Sequence, residues 1–173
     1  MSNLEKVQKA MTVFQILSRI VMIFAYVGAA FTLAGGSLVM SGAVDAGGRF
    51  LSFLTNTANV MPAQVAWALI AAAVSLLYGG ALATFAYRYF TAEIKEGTPF
   101  TSAGADRIKR FGITAVVLSI LSTCITDGIF EKISLPEWNR FDDAGGITLG
   151  ICLILLAMVV RYGAELEQKN KAA

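Results

Sequence analysis

Residues 93–112, EIKEGTPFTSAGADRIKRFG, form the longest polar interruption between two long apolar runs. Gly97, Thr98 and Pro99 end the preceding helix, because proline lacks an N–H and disfavours the helical region for the residue before it. Thr101 or Ser102 caps a new helix, and Asp106 suits the positive end of its dipole. Arg107, Lys109 and Arg110 follow at once, just before Phe111 and the next apolar run. A basic connection between two apolar helices reads as a loop on one face of a membrane.

The rest of the chain agrees. Its 173 residues are 56% hydrophobic and only 15% charged, with a mean hydropathy of +0.65, well above a soluble domain. The apolar residues gather in four runs, about 19–40, 63–87, 111–130 and 145–162, each near the roughly 20 residues that cross about 30 Å of hydrocarbon. The expected fold is all-α: a single membrane domain over 1–173, built as a four-helix bundle with a central loop at 93–110.

Ahead of the first run, Leu4, Val7, Met11 and Phe14 recur at helical spacing among Glu5, Lys6, Lys9 and Gln15. This reads as an amphipathic lead-in lying along the membrane surface. The first run is too long for the hydrophobic core of a signal peptide. Gly28, then Ser75, Gly79 and Ala83, then Gly146 and Gly150 are small residues at four-residue spacing or amid other small residues, where helices approach closely, within one chain or between copies in a homo-oligomer. Pro62 suits a first helical position. Trp67 and the Tyr87, Tyr89, Phe90 group resemble interfacial anchors. Thr114, Ser119, Ser122, Thr123 and Thr126 put hydroxyls on the third run, where they can bond back to their own helix. Asp127 reads as an interfacial residue, and Asp142 with Asp143 as caps of the fourth helix.

Four spans place both termini and the 93–110 loop on one side. Eleven of the fourteen Lys and Arg residues fall there, with only Arg49, Lys132 and Arg140 on the other. By the positive-inside rule the termini and central loop are cytoplasmic, against anionic lipid heads.

Glu96-Gly97-Thr98-Pro99-Phe100-Thr101, followed by the basic helix start at Arg107 to Arg110 and by Gly112, resembles the central loop of a widespread bacterial family. Its members are small four-span inner-membrane proteins of unknown function, often encoded beside a short Cro/C1-type helix-turn-helix regulator. Members usually carry acidic residues and an asparagine after the threonine, where this chain has Ser102, Ala103 and Gly104. The resemblance implies a bacterial inner-membrane location, the four-span architecture and a regulatory partner, and brings no catalytic residues.

The residue inventory narrows the chemistry. There is no histidine, which removes histidine bases and most transition-metal sites. Cys124 and Cys152 form no CxxC pair, though a disulfide between them is conceivable if they share a depth. No charged residue falls in the middle of a span, which argues against coupled transport of an ion. The expectation is a protein without catalytic residues, metal or cofactor, and without direct nucleic-acid binding. It works through contacts with membrane lipid and a cytoplasmic protein, using Thr98, Pro99, Phe100, Arg107, Lys109 and Arg110. The alternative is a small transporter, or a binder of a lipid or hydrophobic ligand between the spans.

Overall fold

The computed structural model describes residues 3–42, 61–96, 101–133 and 144–172, and these form four helices: α1 (Asn3–Met40), α2 (Pro62–Glu96), α3 (Ser102–Ile133) and α4 (Ala144–Ala172). No strand occurs among the described residues. Each helix contains a window apolar and long enough to cross a membrane. Only 11% of that window in α1, and 33% in α2, is buried inside the protein. Phe24 and Phe31 of α1 are 73% and 74% exposed. Surface of this character requires hydrocarbon as its solvent, so the chain is a multi-pass membrane protein.

Helices pack on their neighbours in sequence: α1 on α2, α2 on α3 and α3 on α4. Contacts fix the register. Between α1 and α2, Phe14 stacks on Phe90 at 5.7 Å, and Gln15 Nε2 donates to Thr91 Oγ1 at 2.8 Å. Further along, Tyr26 Oη lies 3.1 Å from Thr84 Oγ1. Thr84 donates its own hydroxyl hydrogen to the Gly80 carbonyl, so the tyrosine is the donor between them. Gly80 leaves room for the Tyr26 ring, and Gly36 sits against the Ala66 carbonyl. Between α2 and α3, Phe85 stacks on Phe111.

The lead-in therefore does not lie along the membrane surface. It continues α1 as one helix of 38 residues and leans on the last turns of α2, because Phe14 and Gln15 find partners there.

Exposed cations mark one edge of the apolar slab. Arg88 of α2 and Lys109 of α3 are both exposed and lie at one level, bracketed by the Phe85–Phe111 stack and an ion pair between Glu93 and Arg107. Arg19 of α1, also exposed, falls close to that level by the α1–α2 register. About 30 Å further along the helices lie Trp67 and Asp127, both exposed. The last turns of α2 and the first turns of α3 lie outside the apolar runs 63–87 and 111–130.

The closest helix approach is between α3 and α4. A Cβ on Gly112 would fall 2.7 Å from the Gly150 carbonyl oxygen, and one on Gly150 would fall 2.7 Å from the Gly112 carbonyl oxygen. Backbone cannot swing aside as a side chain can. Gly79 differs, since a Cβ there meets nothing within 4 Å. Gly150→Ala should destabilise the protein in detergent by about 1–3 kcal/mol through overpacking, whereas Gly79→Ala should be neutral or raise the melting temperature through helix propensity. Equal melting temperatures for Gly150→Ala and wild type would refute the close crossing.

Candidate functional site

A charged cluster joins the end of α2 to the start of α3. Thr101 precedes α3, and its Oγ1 accepts the Gly104 N–H at 2.9 Å, the capping bond that satisfies one of a helix's unpaired first-turn amides. Its hydroxyl also donates to Glu96 Oε2 at 3.1 Å. Arg107, on the next turn, donates from Nη1 to Glu93 Oε1 at 3.1 Å and from Nη2 to Glu96 Oε1. One guanidinium thus bridges two carboxylates that sit three residues apart on α2.

The two carboxylates have different surroundings. Glu93 is fully buried, against the Cα of Gly104, where a Cβ would fall 2.7 Å from Oε1. Its second oxygen, Oε2, has no hydrogen-bond partner. Burial pushes the Glu93 carboxyl above its ordinary range, the neighbouring Glu96 adds to this, and Arg107 opposes it. Glu96 is part-exposed, and the hydrogen bond from Arg107 holds its carboxyl below the ordinary range. Beside the cluster, Tyr89 packs on a small core of Ala105 and Ile108 from α3 with Ala157 and Val160 from α4. The clasp joins α2 to α3, and this apolar core adds α4 at the same end. On its α1 side an open groove of about 750 Å³ is lined by Glu5, Gln8, Lys9, Thr12, Val13 and Ile94.

Of the residues expected to contact a partner, Thr98, Pro99 and Phe100 lie outside the described residues. Arg107 is engaged with Glu93 and Glu96 inside the chain, while Lys109 and Arg110 are exposed on the adjoining turn. Among the packing residues, Gly28 meets Leu76 of α2, Ala83 is buried, and Gly146 and Gly150 lie at helix contacts; Ser75 is half-buried, and a Cβ on Gly79 would meet nothing within 4 Å. Cys124 and Cys152 are free and exposed. They do not share a depth, because the Gly112–Gly150 crossing puts Cys152 beside the first half of α3 and Cys124 well past it. Among the described residues no group of three His, Cys, Asp or Glu is placed to hold a metal.

Glu93 and Glu96 escaped the sequence reading. Their signal was present: two acids one turn apart on a helix end, facing a basic helix start across a short connection. The sequence reading named Gly146 as a packing residue but passed over Tyr78; Gly146, in the first turn of α4, makes room for the Tyr78 hydroxyl beside Ser119.

The clasp predicts a graded response. Arg107→Ala leaves two acids uncompensated, one of them buried, and should cost about 3 kcal/mol, the lower figure for a broken buried pair because Arg107 is 34% exposed. Glu96→Ala should cost less than about 1 kcal/mol. Thermal unfolding of both variants in one detergent checks the order, and a larger loss for Glu96→Ala would overturn it. Comparison of the chain with protein-family models, with curated proteins and with solved structures finds no match.

Proposed function

We propose that this protein is a non-enzymatic, multi-pass protein of the bacterial inner membrane that docks a cytoplasmic regulatory partner at its clasped end. The observation that carries the reading is the Glu93–Arg107–Glu96 clasp. An arginine bridging two carboxylates holds the connection between these helices in one shape, and ordering a surface before contact removes part of the entropy cost of binding.

The clasp holds the first turns of α3 so that Lys109 and Arg110 project beside it, and the α1–α2 groove opens at the same end. The charge pattern supports a partner with an acidic contact face, since eleven of the fourteen cations belong to this side of the chain. The same asymmetry supports a cytoplasmic location for this end and both termini. The resemblance of the 96–112 segment to the four-span family suggests the kind of partner, a short helix-turn-helix regulator. The chain itself would touch protein and lipid, and no nucleic acid.

A photocrosslinking amino acid at Ala103, exposed in the first turn of α3, should capture one cytoplasmic protein in the native cell, while the same probe at Met61, at the opposite end, should not. Lys109→Ala with Arg110→Ala should abolish that capture without lowering the amount of protein in the membrane. Capture of only lipid or the chain itself at Ala103 would refute docking. A fluorescent protein fused to the C-terminus should fluoresce and an alkaline phosphatase fusion should be inactive; the reverse would refute the orientation.

A further inference from the structure

Among the described residues the largest side chain closed off completely from solvent is not apolar: it is Glu93, near the end of α2. Its Oε1 accepts a hydrogen bond from Arg107 Nη1 at 3.1 Å. Its Oε2 accepts none. Both oxygens lie against the first turn of α3, where a Cβ on Gly104 would fall 2.7 Å from Oε1 and 3.1 Å from Oε2. The amides of that turn do not relieve them, because the Gly104 N–H goes to Thr101 Oγ1 and the Ala105 N–H to the Thr101 carbonyl. An ionised carboxylate offers about four acceptor sites, so a charged Glu93 is buried with most of that capacity unmet.

The charges do not balance either. Arg107 carries one positive charge, which Glu93 and Glu96 share. Glu96 has the better claim on it, being part-exposed and bonded by both Arg107 and Thr101. On α2, Tyr89 lies one turn before Glu93; burial and then Glu93 push its hydroxyl up to about 12, so it stays neutral. Lys95 of α2 and Asp106, Lys109 and Arg110 of α3 are exposed. On α1, Glu5 and Lys9 line the open groove that reaches Ile94. On α4, Arg161 pairs with Glu165, both exposed. Residues 97–100 carry no titratable side chain.

We propose that Glu93 is a proton-binding site, which takes up a proton on Oε2 as the medium turns mildly acid while the Arg107–Glu96 bridge holds the clasp together. The proton comes from hydronium at the part-exposed edge formed by Glu96 and Arg107, and one O–H bond forms in the protein. An unpartnered neutral hydroxyl costs far less to bury than an unbalanced charge. Two carboxylates and one guanidinium give the cluster a net charge of −1; with Glu93 neutral, Arg107 balances Glu96 alone. With Lys109 and Arg110 exposed on the adjoining turn, this end of the protein becomes more positive on acidification and keeps its shape. Proton uptake requires neither a docked partner nor a particular side of the membrane.

The surroundings of the two acids set the order of protonation. Burial holds the Glu93 carboxyl above its ordinary range and the Arg107 hydrogen bond holds Glu96 below it, so Glu93 takes its proton first. Native Glu93 binds that proton at higher pH than unfolded Glu93 does. Its contribution to stability therefore grows as pH falls from neutral and is complete below the unfolded value of about 4.3. Glu96 has the opposite sign, its contribution being lost as pH falls below that value.

The test compares full-length wild type, Glu93→Gln and Glu165→Gln in one detergent, by thermal unfolding and infrared difference spectroscopy, from about pH 7.5 down to about pH 4.5. Glu93→Gln, which mimics the protonated acid, should melt above wild type at the neutral end. That gap should shrink by about 2 °C or more at the acid end, while Glu165→Gln, altered at an exposed acid, should track wild type throughout. On acidification wild type and Glu165→Gln should gain a carboxylic-acid C=O stretch that Glu93→Gln lacks. A Glu93→Gln variant that melts below wild type at neutral pH, a gap that stays constant across the range, or an equal carboxylic-acid band with and without Glu93 would each overturn the proposal.

Discussion

The backbone of a chain in hydrocarbon has nowhere to place its polar groups except within itself, and every level of this structure follows from that constraint. It makes the four apolar runs helical without regard to detailed propensity, so that α2 holds its helix through two adjacent glycines and several β-branched residues. It turns threonine and serine inward to their own carbonyls, as Thr32 and Thr126 show. It also makes the hydrophobic effect useless for holding one helix against another, because lipid tails are as apolar as leucine. What joins the helices here is close contact and a few polar bonds: Gly112 against Gly150, Tyr26 to Thr84, Gln15 to Thr91, and the clasp at the end of α2.

These attachments are graded along the membrane normal. At the clasped end, charge and hydrogen bonding dominate, since water nearby makes a partly exposed arginine tolerable. Toward the middle, glycine-mediated backbone contact takes over. The Tyr78–Gly146 meeting shows both at once: a polar group is buried between helices only because a missing side chain lets it in. The clasped end is where a binding partner can be recognised by charge.

Much of the architecture was legible in the sequence. The four spans, Pro62 at the first turn of its helix and a cap at Thr101 follow from hydropathy and from local chemistry confined to a few residues. Interactions between distant residues were less so. That Arg107 turns inward to Glu93, while Lys109 and Arg110 do not, depends on the rotation of α3 about its axis, which hydropathy does not encode. Residue spacing marked Gly79 and Gly146 alike as packing positions, yet one faces open space and the other clears a notch for a tyrosine hydroxyl. The extent of α1 was missed for the opposite reason: its amphipathic start resembles a surface helix, and only the aromatic and amide partners on α2 hold it in line.

Each helix packs chiefly on the one synthesised before it. The pairing of α1 with α2 is complete before α3 has been made, and α3 then docks on a finished surface. Such an order suits stepwise insertion from the ribosome: each new segment meets its final neighbour as it enters the bilayer, and little entropy is lost in long-range closure. The last helix is the exception. The groups that α4 buries on α2 and α3, including the Tyr78 hydroxyl, stay open to lipid until synthesis is nearly finished, so assembly ends with a polar group being covered.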